Sequence, residues 1–324
     1  MFGNEKHDSW RWIPFILVAG AFVFLYFDPL GMESTQIRYS VNPQPTAVPT
    51  PLQPQPNPPP PNPPAPNPPP AAPRPPLGDG EFPSALNTGP QTPPTKTWPQ
   101  SGNGTWINVG ENADGFIFNG CVRTTRSGVR ITNSEIRGNC TTSQLYDEGG
   151  NGVFEYNNIF DVVGGGASTI GCGNGSRFFR NNAKGAADGV KEGSGCQIIE
   201  NYIHDLDEYN AGVGGGTHND GVQIEGGGTT GMLIQKNTFE NTCGKRGIAG
   251  QGCAGTIFVN NGASGNTIEG NYVKRWDGPT AGFIFHLHNA GANTVKDNIV
   301  ECGAIAGFGV AAPGISTFTN NTQC

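Results

Sequence analysis

Two short phrases carry the residues best suited to chemistry. One reads Asp188-Gly189-Val190-Lys191-Glu192-Gly193. The other reads Thr217-His218-Asn219-Asp220-Gly221-Val222-Gln223-Ile224-Glu225-Gly226. Laid side by side, they set Asp220 against Asp188 and Gln223 against Lys191. Carboxylates stacked about 5 Å apart repel, so one keeps its proton or a cation sits between them. The protonated partner is a general acid, and the ionised one is a base acting on water. Asp-Gly is also a favoured turn whose carboxylate accepts nearby amides, a plain structural reading that stands beside the catalytic one.

A second chemistry is β-elimination on a uronate sugar. It requires a cation, Ca²⁺ included, to neutralise the carboxylate and a base to take the adjacent carbon-bound proton. The candidate catalytic set is Asp220, Asp188, His218, Lys191, Glu225, Arg246 and His286, with Lys245 beside it. Asp188, Asp220 and Glu225 are the candidate Ca²⁺ ligands, with Asp205, Asp207 and Glu208 as further oxygen donors. Gln223, Asn260 and His288 are candidate substrate contacts. Tyr209, Trp276, Tyr202 and Tyr272 are candidate platforms for sugar rings, or packing caps between repeats. His286 and His288 share a strand face, which also admits a metal pair; each histidine equally suits a solvated or capping role.

These residues need a scaffold, and the sequence supplies one through repetition. A phrase of apolar residue, two variable residues, Asn, one variable residue and an apolar or small residue returns nine times. It centres on Asn119, Ser134, Asn157, Asn181, Asn201, Asn237, Asn271, Asn298 and Asn320. Such spacing signals a solenoid in which each coil buries its apolar face only against its neighbours. The parity of the apolar positions requires a bend just before the Asn, and Asn tolerates left-handed backbone. Stacked coils would let the amides bond up one column. A β-sandwich with Asn-rich turns is the rival fold, but it has no reason to keep this phrase in phase. Strands are expected near residues 232–235, 238–240 and 221–225. The outward strip then reads Lys191, Gln223, Glu225, Asn260, His286 and His288, since Val222 and Ile224 face the core. Two coils carry insertions, residues 205–219 and 241–255, and long loops on one side of a regular scaffold are usually functional.

The three-strand coil with an Asn column resembles the right-handed parallel β-helix, pectate-lyase-like superfamily. The stretch Phe82-Pro83-Ser84-Ala85-Leu86-Asn87-Thr88-Gly89, with Gly120-Cys121-Val122 and Gly128-Val129-Arg130-Ile131-Thr132-Asn133-Ser134, is similar to exported β-helix proteins of actinobacteria and their phages. The resemblance covers residues 80–324. It implies a saccharide groove along the strand that follows the insertions. His218-Asn219-Asp220-Gly221 looks like the Asn-Thr-Asp-Gly phrase of glycosidases with this fold. Their consecutive Asp-Asp on the next coil is absent here, so the resemblance implies elimination ahead of hydrolysis. The same superfamily holds non-catalytic tailspike and adhesion domains.

The front of the chain has another composition. Residues 12–30 are mostly apolar, with Lys6 and Arg11 before them, and read as a signal anchor with the N-terminus inside, or as a cleaved signal peptide. Residues 31–79 form a Pro-rich linker of polyproline II character, a spacer of about 3.1 Å per residue. All eight cysteines lie beyond residue 120 without a CxxC motif, which fits disulfides in an oxidising compartment. Cys243 and Cys253, bracketing one insertion, are the expected pair. The net charge of −7 argues against a general nucleic-acid surface. No phosphate-binding loop or dinucleotide fingerprint is present.

The expected protein is therefore all-β. Residues 1–11 are cytoplasmic, 12–30 an anchor, 31–79 a linker and 80–324 a right-handed parallel β-helix of about nine coils. The β-helix is expected outside the cytoplasm, membrane-anchored through the N-terminal helix or secreted. Its expected partner is a polysaccharide, an acidic glycan. The leading activity is polysaccharide lyase; the alternatives are a non-catalytic carbohydrate-binding, adhesion or tailspike-like module and a glycoside hydrolase. Trimers are common in surface fibres, though no coiled-coil heptads drive one here.

Overall fold

The computed structural model describes residues 78, 80–100, 102–162, 167–207, 219–242, 255–274, 283–301 and 316–323. This part of the chain is all-β. Its strands stack in three parallel sheets, of ten, eight and nine strands among the described residues. One coil shows the rule: Arg177–Phe179 joins the nine-stranded sheet, Asn182–Lys184 the ten-stranded and Asp188–Lys191 the eight-stranded, before Gln197–Ile199 begins the next coil. Neighbouring strands come from successive coils and pair in parallel, as in a β-helix solenoid. Expected strands fall at Leu233–Gln235, Thr238–Glu240 and Val222–Ile224, within a residue or two of their predicted bounds.

Apolar side chains of all three sheets fill the interior in columns. Phe154, Phe178, Ile198, Ile234, Ile268 and Val295 form one column of fully buried residues, with the Phe154 and Phe178 rings stacked at 4.6 Å. No coil could close this core alone, so burial couples each coil to the next.

The Asn column exists and runs Ser134, Asn157, Asn181, Asn201, Asn237, Asn271, Asn298 and Asn321. Each side-chain oxygen from Asn157 onward accepts the backbone N–H of its counterpart one coil earlier at 2.8 to 3.1 Å. Two members differ from expectation. Asn119 is exposed and lies off the column; in that coil the Phe116 amide meets Ser134 Oγ at 3.1 Å. Asn320 sits one residue before the column, which Asn321 occupies instead. The reason is that the left-handed residue is the one preceding the ladder residue. Asn133, Tyr156, Arg180, Glu200, Lys236, Gly270, Asp297 and Asn320 hold φ between 46° and 62°. The ladder amides thus cap the bend instead of forming it.

A second, shorter amide column stands at the entrance to the nine-stranded sheet. Asn266 Oδ1 accepts the Met232 amide at 2.9 Å, and Asn293 Oδ1 accepts the Asn266 amide at 3.1 Å. Several coils earlier, buried Asp147 accepts from the Thr124 hydroxyl, the Gly152 amide and the Ser176 hydroxyl.

Residues 80–98 run lengthwise along the solenoid. Phe82 stacks on Tyr272 at 4.6 Å, near the last coils. The Gly89 amide donates to Arg180 O, and the Gln91 amide to Asn133 Oδ1. Lys96–Thr97 pairs with Phe116–Phe118 in the first coils, where Trp98 packs on Phe116 and Phe118. Gly89 must be glycine: its φ is 77°, and a Cβ would stand 2.4 Å from Asn158 Oδ1. A crevice of about 340 Å³ lies between the start of this strap and the corner residues Arg180, Glu200, Lys236 and Asp297.

Two disulfides, Cys121–Cys140 and Cys172–Cys196, fit an oxidising compartment. Cys243 and Cys253 lie outside the described residues, as do the anchor 12–30 and all but one residue of the linker 31–79. Among the described residues no helix is long and apolar enough to cross a membrane.

Candidate functional site

The outer face of the eight-stranded sheet collects the expected strip. Register places Asn108, Arg123, Tyr146, Gly171, Lys191, Gln223, Phe258 and His286 in one column on the side of the sheet away from the core, with Gln223 and Phe258 buried there. Gln223 follows Lys191 as expected, while Val222 and Ile224 are buried in the core. Phe258, not Asn260, follows Gln223 directly. Glu225, Asn260 and His288 lie two residues further along their coils, and Asn260 Oδ1 is engaged by the Asn261 amide at 2.7 Å. The Phe258 and His286 rings stand 5.0 Å apart, and those of His286 and His288 5.8 Å.

Asp188 and Asp220 lie where this face meets the corner leading from the ten-stranded sheet. Both are buried rather than lining an open cleft. Their first duty is to the backbone. Asp188 Oδ1 accepts the Asp220 amide at 3.0 Å, and Asp220 Oδ1 accepts the Gly255 amide at 2.9 Å. They form a third corner column, an acidic counterpart of the Asn ladder. Below them in the same row, the Ser143 and Ser168 hydroxyls bond each other at 2.7 Å. The glycines of the two Asp-Gly pairs have a separate cause. A Cβ at Gly189 would meet Gly221 O at 2.4 Å, and one at Gly221 would meet Thr256 O at 2.6 Å. Asp caps the turn and Gly lets the coils close.

The second oxygens differ. Asp188 Oδ2 is 3.5 Å from Lys191 Nζ. Asp220 Oδ2 is buried with no hydrogen-bond partner among the described residues. Burial raises the Asp188 carboxyl to about 7, against the pull of Lys191 and the Asp220 amide. Burial and then the neighbouring Asp188 hold Asp220 well above the ordinary carboxylate range. The pair therefore shares less than two negative charges near neutrality. Such a pair can hold a proton, and Asp220 is fully buried.

Calcium requires several converging oxygens. The Oδ1 atoms of both aspartates are committed to amides, and no group of three His, Cys, Asp or Glu side chains among the described residues is placed to hold a metal. His218, Arg246, Tyr209 and Trp276 lie outside the described residues. The insertions that hold His218 and Arg246 leave and rejoin the solenoid at this same corner, between Tyr202–His204 and Val222–Ile224 and between Thr238–Glu240 and Gly255–Val259.

Tyr202 and Tyr272 do not join this face; they belong to the ten-stranded sheet. Tyr202 stacks on His204 at 4.0 Å and donates to Glu240 at 2.5 Å, which also holds Lys274. Tyr272 donates to Glu301 at 2.7 Å. His204 lies between Asp205 Oδ2 and Asn182 Oδ1 at 3.0 and 2.8 Å. Burial lowers its pKa, opposed by Asp205. These groups are tied to one another from coil to coil.

Three residues on the eight-stranded face escaped the sequence reading: Trp106, Arg123 and Tyr146. They belong to coils without insertions, so no loop signal drew attention to them. No protein family, curated protein or solved structure matches this chain.

Proposed function

We propose that the protein engages an acidic polysaccharide along the outer face of the eight-stranded sheet. In this reading the domain is a right-handed, pectate-lyase-like β-helix, carried outside the cytoplasm on the Pro-rich spacer and the N-terminal anchor. The observation that carries it is the in-register outward column, which offers two cations, Arg123 and Lys191, among aromatic rings along one extended face. A flat sheet face with cations and rings at coil spacing suits a polymer of ring-shaped, carboxylate-bearing units.

Binding without turnover is the reading best supported by the aspartates, whose Oδ1 atoms serve as backbone caps. The second reading is a polysaccharide lyase. It is favoured by Lys191, which stands beside Asp188 and could neutralise a uronate carboxylate. The protein should be incubated with alginate, pectate, glycosaminoglycans and a neutral glucan. Retention of an acidic polymer alone supports the module. Unsaturated-uronate absorbance supports the lyase, and new reducing ends without it support hydrolysis. Failure to retain any acidic polymer removes the proposal.

A further inference from the structure

The first-coil end of the same face carries a cluster that the Asp-Gly phrases do not reach. The Trp106 and Tyr146 rings stand side by side on it, 6.2 Å between centroids and tilted by 43°. The Arg123 guanidinium lies over the Trp106 ring at 5.8 Å. Among the described residues Arg123 is held through Nε, which donates to Asn108 Oδ1 at 3.0 Å and stands 3.4 Å from Glu148 Oε2. Its two terminal nitrogens have no partner among the described residues, and the side chain is 30% exposed. A guanidinium fixed by Nε presents its outer edge, the fork that takes a carboxylate in bidentate fashion. The half-exposed Glu148 pair competes little for it.

We infer that Trp106, Arg123 and Tyr146 form a uronate subsite: the rings receive the face of a sugar and the Arg123 fork takes its carboxylate. This rests on the acidic-glycan reading above and adds a distance to it. Arg123 and Lys191 occupy one column three coils apart, through Tyr146 and Gly171. At about 4.8 Å per coil they are separated by roughly 14 Å. A chain long enough to present carboxylates to both binds more tightly than one that reaches a single cation.

The test titrates the full-length protein with oligogalacturonates and oligoguluronates of increasing length, and with carboxyl-reduced counterparts, by calorimetry. The wild type should gain affinity once the oligomer spans both cations. Trp106→Ala and Arg123→Gln should each remove that gain, by about tenfold. Trp106→Phe, which keeps a ring and guards against misfolding as the cause, should restore most of it. If the wild type shows the length-dependent gain and both variants keep it, the subsite is refuted while the glycan reading stands. If the wild type binds no acidic oligomer, both fall.

Discussion

Replacing Asn201 by Ala tests the amide ladder at its middle. Asn201 Oδ1 accepts both the backbone N–H and the side-chain N–H of Asn181, each at 2.9 Å. Asn201 Nδ2 reaches Phe178 O at 3.0 Å and Asn237 Oδ1 at 3.1 Å. After the change, the Asn181 side chain keeps its bond to Phe154 O, and Asn237 Oδ1 keeps the Asn201 amide. The Asn181 backbone N–H keeps nothing and is buried. An orphaned buried amide costs about 1–3 kcal/mol, and the three further lost bonds add about 1 kcal/mol each. The expected loss is therefore about 4–6 kcal/mol, a large part of the roughly 5–15 kcal/mol that holds a domain together. Coils can open singly, so hydrogen exchange at the Asn181 amide should accompany urea unfolding. Protection there should fall by about a hundredfold. Asn119→Ala, exposed and off the column, should change stability by no more than about 0.5 kcal/mol. Equal unfolding midpoints for the two variants, with the Asn181 amide still protected, would refute the ladder as a source of stability.

Burial raises the Asp188 carboxyl from its ordinary 3.8 to about 7, and burial with the neighbouring Asp188 holds Asp220 well above 3.8 too. The folded state then binds more protons than the unfolded one, so stability should fall as pH climbs from about 4 to about 7, by at most about 1.4 kcal/mol per pH unit per group. Urea midpoints across that range check the sign, and a rise with pH contradicts it. Asp220→Asn keeps an oxygen for the Gly255 amide and removes one of the two raised acids, so the protein should fold, with a shallower pH slope. Should a lyase activity be found, unchanged turnover in this variant would take Asp220 out of the reaction. Reduction of Cys121–Cys140 and Cys172–Cys196, whose partners are 19 and 24 residues apart, should cost about 3 kcal/mol each, read as a lowered midpoint in the presence of reductant.

The solenoid was legible because its period is written in one residue type. A ladder residue must be small, must accept an amide and must donate to a carbonyl, and Asn meets all three needs coil after coil. Asn119 misled because Phe116 and Cys121 flank it as the phrase requires, although Phe116 itself stands at the ladder position of that coil. Asn320 misled because two Asn residues are adjacent at the last coil and the phrase fixes the bend only to within a residue. The Asp188 and Asp220 stacking was legible from the shared Asp-Gly-Val phrase. Their burial was not, because parity fails at that corner: the amides of Gly189 and Val190 both donate to the same neighbouring coil, at Asp220 O and Gly221 O. Alternation cannot assign a face across such a kink. Trp106, Arg123 and Tyr146 carry no repeated phrase, and only register brings them together.

The lengthwise strap settles how tension enters the domain. Upstream chain reaches the solenoid at Phe82, beside the final turns, although the first turn is the next to be built after Trp98. A pull from that side meets the Phe82–Tyr272 stack before any coil, and then the contacts at Gly89, Gln91 and Lys96 one after another. The strap would peel from its end like adhesive tape, giving way by small steps, while the hydrogen-bonded stack beneath it remained wound.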